Sequence, residues 1–165
     1  MDAYQNCASD GWCWFENELT YCNARVSEAL LLTPQGRQTG LESLRWLGET
    51  YEVDGQISLI GSDGWYPRDG KRAIYGQQAV DAGDMVSACI EGFRLSGDDK
   101  LRHWAQLSYK WFLGRNIGNR VMIDEKTGGC FDGLRKNGEV NPNQGAESLL
   151  AWLLAWEEMK EIGWL

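Results

Sequence analysis

The sequence predicts an all-α protein, and three observations carry that expectation. Apolar residues recur at helical spacing in five separate segments. No stretch reads as a run of strands. The connections alternate between short turns and long loops, as repeated helical hairpins would require. At 165 residues the chain fits one domain, residues 1–165, long enough to bury a core.

The first helix is expected from about Glu18 to Leu32, with Leu19, Cys22, Val26, Ala29 and Leu30 on one face. The second runs from about Gly40 to Glu52, where Thr39 and Glu42 have capping-box spacing and Leu41, Leu44, Leu47 and Tyr51 form a stripe. A third spans about Gln77 to Leu95, carrying Met85, Val86, Cys89, Ile90 and Phe93. Gly97 ends it, and Asp98 is placed to cap the fourth, which holds Leu101, Trp104, Ala105, Ser108, Trp111 and Phe112. The fifth, Gly145 to about Ile162, is apolar almost all the way round through Leu149, Leu150, Trp152, Leu153, Leu154 and Trp156, and so reads as the most buried.

"TPQGRQ" and "SGDD" are short links, whereas the stretches before the third and fifth helices are long and rich in Gly and aromatic residues. Loops of that length in a compact domain are usually functional, and their aromatic content argues against disorder. If successive helices alternate in direction, helices one, three and five begin at one rim, decorated by the long loops.

Composition narrows the function. A net charge of −8 weighs against nucleic acid and against anionic membrane surfaces. Residues 1–10 lack an apolar leader and no apolar run approaches the ~20 residues that span a bilayer, so a cytoplasmic location is expected. The five cysteines are widely spaced and expected to be reduced and mostly buried. With a single histidine, His103, and no CxxC, neither a metal site nor a cofactor is expected. P-loop, GxGxxG, HExxH and GxSxG patterns are all missing from the sequence.

The rim instead gathers carboxylates, amides, an arginine and aromatic rings, the groups that take the paired hydroxyls and apolar faces of a saccharide. A glycosidase-like reaction needs two carboxylates; Glu16, Asp63, Asp81, Asp132 and Glu147 are available, and Glu16 and Glu147, with Asp132 as a third, are the leading candidates. Trp14, Trp65 and Tyr66 are expected to stack on sugar, and Gln77, Gln78 and Asn143 to bind hydroxyls. Asn17, Arg68, Asp81 and Gln144 complete the candidate set.

The segments "WFENELTYCNARVSEALLL", "GLESLRWL", "GWYPRDGKRAIYGQQAVDAGDMVSAC" and "GGCFDGLRKNGEVNPNQGAESLLAWLLA" resemble, as an ordered set, (α/α)6-toroid domains of the six-hairpin-glycosidase-like class. Such domains occur alone or C-terminal to bacterial group 1 (GT4-like) glycosyltransferases. The resemblance implies inner and outer helices in hairpins and a carbohydrate-related role. It covers only the length of the C-terminal half of such a ring, so the expected form is a half-toroid. Cys22 stands where that family usually has Asp, and Ala79 where Pro usually follows the Gln pair. A half-ring would leave the flanks of the first and fifth helices bare, which leads to an expected homodimer. The competing reading is a non-catalytic interaction module whose dimeric surface is its function.

Overall fold

The computed structural model describes residues 2–165, and the chain is mainly helical. Among the described residues there are six helices: α1 (Asp2–Cys7), α2 (Asn23–Leu31), α3 (Arg37–Tyr51), α4 (Ala79–Ser96), α5 (Asp99–Phe112) and α6 (Ala146–Glu161). Two-residue strands lie in the loops between them: β1 (Glu18–Leu19), β2 (Glu52–Val53), β3 (Gln56–Ile57), β4 (Tyr66–Pro67), β5 (Gln77–Gln78), β6 (Gly133–Leu134) and β7 (Val140–Asn141).

The expectation of no strands is therefore corrected, and the strands also move two helix starts. Glu18 and Leu19 pair antiparallel with Pro67 and Tyr66, so they cannot open the first helix. Cys22 then takes a left-handed conformation (φ 52°), and α2 begins only at Asn23. Gln77 and Gln78 pair with Leu134 and Gly133, so α4 begins at Ala79. The capping box is also displaced. Gly36 precedes α3, and Thr39 is buried inside its first turn. The link between α4 and α5 has the expected form: Gly97 is left-handed (φ 67°), and Asp98 accepts the Lys100 backbone N–H at 3.0 Å.

The helices form two layers. α4 lies between α2 and α6, while α3 and α5 pack behind and against each other. Every residue of α4 from Asp81 to Ile90 is buried. Small residues make this possible. A Cβ on Gly83 would sit 3.0 Å from the Ala151 Cβ of α6, and one on Gly48 of α3 would sit 2.4 Å from the Trp104 ring of α5. Between the layers Leu31, Leu44, Leu47, Met85, Leu101 and Phe112 complete the core.

The most buried helix is α4 and not α6, which corrects the sequence expectation. α6 buries Ser148, Ala151, Ala155 and Met159 on one face. Leu150 (57% exposed), Leu153, Leu154 (50%) and Trp156 face outward. Its all-round apolarity thus gives one face to this core and leaves another uncovered.

The short strands gather the long loops at the end where α2, α4 and α6 begin. β1 and β4 join the approach to α2 to the loop before α4. β5, β6 and β7 form one sheet joining the approaches to α4 and α6. Buried Gln77 fastens that sheet to the helices: its Nε2 donates to Ser58 Oγ (3.2 Å) and to the Ile74 carbonyl (3.0 Å), and its Oε1 accepts from the Trp111 indole (2.9 Å). Among the described residues no helix is long and apolar enough to cross a membrane.

The Gly48–Trp104 approach gives a test of the packing. Gly48→Ala gains helix propensity but drives a methyl into a buried ring, so a net loss of about 1–3 kcal/mol is expected in urea denaturation. Unchanged or greater stability would show that α3 and α5 do not meet there.

Candidate functional site

A cleft of about 630 Å³ opens between the first turns of α4 and α6, roofed by the β5–β6–β7 sheet. Its walls include Ser62, Asp63, Gln78, Asp132, Arg135, Lys136, Asn141, Glu147 and Ser148. The volume is that of a small-molecule site. The position follows from the fold: three loops pinned by one small sheet leave a gap where two helices begin side by side.

Of the residues singled out from sequence, Asp63, Gln77, Gln78, Asp132 and Glu147 border this cleft. Gln78 and Glu147 present side chains that no described residue engages by a hydrogen bond. The Gln77 side chain is different, since its amide is buried and fully bonded to Ser58, Ile74 and Trp111. Neighbours on a strand point to opposite sides, so only one of the two glutamines can face the cleft.

Asp132 anchors α6. Its Oδ1 accepts the Gly145 N–H (2.7 Å) and the Ser148 hydroxyl (2.5 Å), and its Oδ2 accepts from Asn143 Nδ2. Burial opposes the charge, but the bonds from Ser148, Gly145 and Asn143 outweigh it and hold the carboxyl below its ordinary pKa. A carboxylate held this way is a poor proton donor. Asn143 thereby belongs to the start of α6, and Gln144 ties the neighbouring turn by donating to Asp124 (2.9 Å) while accepting from Thr127 (2.8 Å).

The remaining candidates lie outside the cleft. Glu16 is exposed away from the cleft, and its backbone carbonyl accepts the Trp12 indole N–H at 2.8 Å. Trp14 is a core residue, stacked on Trp46 at 6.2 Å and edge-on to Phe15 at 5.1 Å. Tyr66 packs edge-on against Trp12 at 5.4 Å. Trp65 stacks on the exposed ring of Tyr21 at 6.0 Å, with its backbone left-handed (φ 51°). Arg68 donates to the Cys7 carbonyl (2.9 Å), to Ser9 Oγ and to Asn17 Oδ1 (3.4 Å), fastening α1 to the loop. Asn17 and Arg68 border a separate shallow hollow with Pro67, Asp69 and Gly70.

Asp81 is buried behind the cleft, where its Oδ1 accepts the Cys22 N–H at 2.6 Å. Burial raises its pKa to about 8, and the nearby charges of Asp84 and Glu147 push in the same direction against the Cys22 bond. Ser62, Lys136 and Ser148 line the cleft without having been singled out from sequence. Ser62 and Lys136 sit in polar loops and Ser148 in the first turn of α6, and none carries a local signal of the surface it will face.

No group of three or more His, Cys, Asp or Glu among the described residues could hold a metal ion. His103 pairs with Glu52 at 3.1 Å on the face shared by α3 and α5. All five cysteines are free, with Cys89 and Cys130 buried and Cys7, Cys13 and Cys22 half-buried.

Asp132 supplies a test with a defined sign. Its lowered pKa means that its contribution is present above the unfolded carboxylate value near ~4 and is lost as pH falls through the folded value. Asp132→Ala should therefore cost about 1–2 kcal/mol at pH 7, with the gap to the parent narrowing at pH 3. Urea denaturation at both pH values checks it, and equal loss at both would separate the effect from ionisation.

The chain matches no protein-family model, and a comparison with curated proteins finds no match. Its function has to be read from the geometry of the cleft.

Proposed function

We infer that the cleft between α4 and α6 binds a saccharide. The observation that carries this reading is the convergence of Asp63, Gln78 and Glu147 on one cavity of saccharide size, with no described residue engaging their side-chain polar atoms by a hydrogen bond. Carboxylates accept from hydroxyls, and an amide both donates and accepts, so the set matches a polyol edge. Arg135 donates to Asn141 Oδ1 at 2.8 Å, which orients the Asn141 amide at the same wall. Among the described residues no aromatic ring borders the cleft, so recognition through hydroxyl edges replaces stacking by Trp14, Trp65 and Tyr66.

If the site also cleaves a glycoside, the pair is Glu147 with Asp63. Glu16 lies outside the cleft, and Asp132 is engaged by three donors. The placement of α2, α4 and α6 in one layer with α3 and α5 behind supports the half-toroid architecture that the family resemblance implies.

Calorimetric titration with a panel of neutral mono- and oligosaccharides tests the site. Binding by the parent, weakened about tenfold by Glu147→Gln or Asn141→Ala, is expected from the loss of one or two hydrogen bonds. No binding anywhere in the panel would end the reading. Binding that ignores both variants but is lost in Trp65→Ala would move the site to the Tyr21–Trp65 pair.

The interaction-module reading keeps support from the outward Leu150, Leu153, Leu154 and Trp156 of α6. In that reading a homodimer covers them. Sedimentation should then show a dimer that Leu154→Asp converts to monomer without loss of helix content. A monomeric parent at high concentration would refute it.

A further inference from the structure

Two carboxylates lie one helical turn apart near the start of α4, where its fully buried stretch begins. Asp81 and Asp84 are each almost wholly buried, at 2% and 3% exposure. Each uses one oxygen to hold the start of α2. Asp81 Oδ1 accepts the Cys22 N–H at 2.6 Å, and Asp84 Oδ1 accepts Arg25 Nε at 2.7 Å. The other oxygen of each, Oδ2, is buried with no hydrogen-bond partner.

The groups facing this pair come from three other elements. The approach to α2 and the helix itself contribute Cys22, Arg25 and Glu28, α3 contributes Tyr51, and α6 contributes Glu147. Arg25 is the one cation facing the pair among the described residues, and it is shared with Glu28 at 2.6 Å. One guanidinium thus stands against four carboxylates. Ionising Asp81 as well would bury an unpaired charge beside the Arg25-paired Asp84, which is far more costly than burying a neutral acid with one unbonded oxygen.

We propose that Asp81 and Asp84 form a proton-held latch: while the pair holds a proton the start of α2 is seated on α4, and loss of that proton releases it. The proton leaves to solvent as pH rises, no other covalent bond changes, and the Cys22 N–H to Asp81 hydrogen bond opens with the release. What moves is the turn bearing Tyr21 and Cys22. Cys22 is already strained in a left-handed conformation, and Tyr21 stacks on Trp65 of the rim loop. Release therefore separates Tyr21 from Trp65 and opens the rim on the α2 side. The latch does not depend on what the cleft binds.

The raised pKa of both groups fixes the direction. A carboxyl whose folded value lies above its unfolded value gives its full stability below the unfolded value, near ~4, and loses it as pH rises through the folded one. For Asp81 that folded value is about 8. Amide hydrogen exchange, corrected for its intrinsic rise with pH, should show protection at Cys22 to Val26 falling at least about tenfold between pH 6 and pH 9. Protection within α5 should stay level over the same range. In Asp81→Asn the acceptor for the Cys22 N–H is kept but no proton can be lost, so the fall should disappear.

A fall of equal size in the variant would overturn the latch, as would parent protection that is flat across the range. If the variant does not fold, a carboxyl-carbon NMR titration of the unmodified protein decides between the same two outcomes. An Asp81 midpoint above 6 supports the latch, and one near 4 sinks it.

Discussion

The enclosure of α4 is the constraint from which the rest follows. A helix buried on every side over ten successive residues, Asp81 to Ile90, has to be approached closely by its neighbours. Small residues allow that approach, as Gly83 does against Ala151. Enclosure also dictates what happens to polar groups on the helix. Ser87 takes Glu158 of α6 as a partner at 2.7 Å, and Asp84 takes Arg25 of α2. Asp81 has only a backbone N–H, and burial moves its pKa accordingly.

The same constraint positions the cleft. Because α2 and α6 flank α4, the approaches to all three helices emerge at one end and must share space. Strands of two residues each are enough to order them, since each ladder joins two different loops or turns one back on itself. Gln77 carries that order into the helical layers through Trp111 and Ser58, and Asp132 carries it into α6 through Gly145 and Ser148. The cleft is thus bounded by groups whose bonds are satisfied, while Gln78, Asp63 and Glu147 stand free at its surface. A rigid frame with a few unbonded polar groups suits recognition of a polar ligand. The outward face of α6 answers to a different logic. Leu150, Leu153, Leu154 and Trp156 contribute nothing to this core, so their cost in water is not offset within the chain. The half-toroid and homodimer proposals both place another helical surface against that exposed stripe.

Local sequence determined most of the helices. Gly97 and Asp98 mark the α4–α5 junction to the residue, and the stripe through Leu101, Trp104, Ala105 and Trp111 defines α5, because capping and periodicity act over a few residues. The gathering of long loops at one rim was also legible, from the alternation of short and long connections. The start of α2 was not: Glu18 pairs with Pro67, and no local pattern reports a partner 49 positions away. Nor could periodicity say which face of an all-apolar α6 meets protein and which meets water.

Which of the rim groups enter the cleft was decided by tertiary structure. Gln77 and Gln78 are the same residue type side by side, yet a two-residue strand turns one into the core and the other toward the cavity. Composition chose the chemistry available at the rim, whereas strand register and helix packing decided which of those groups were left free to use it.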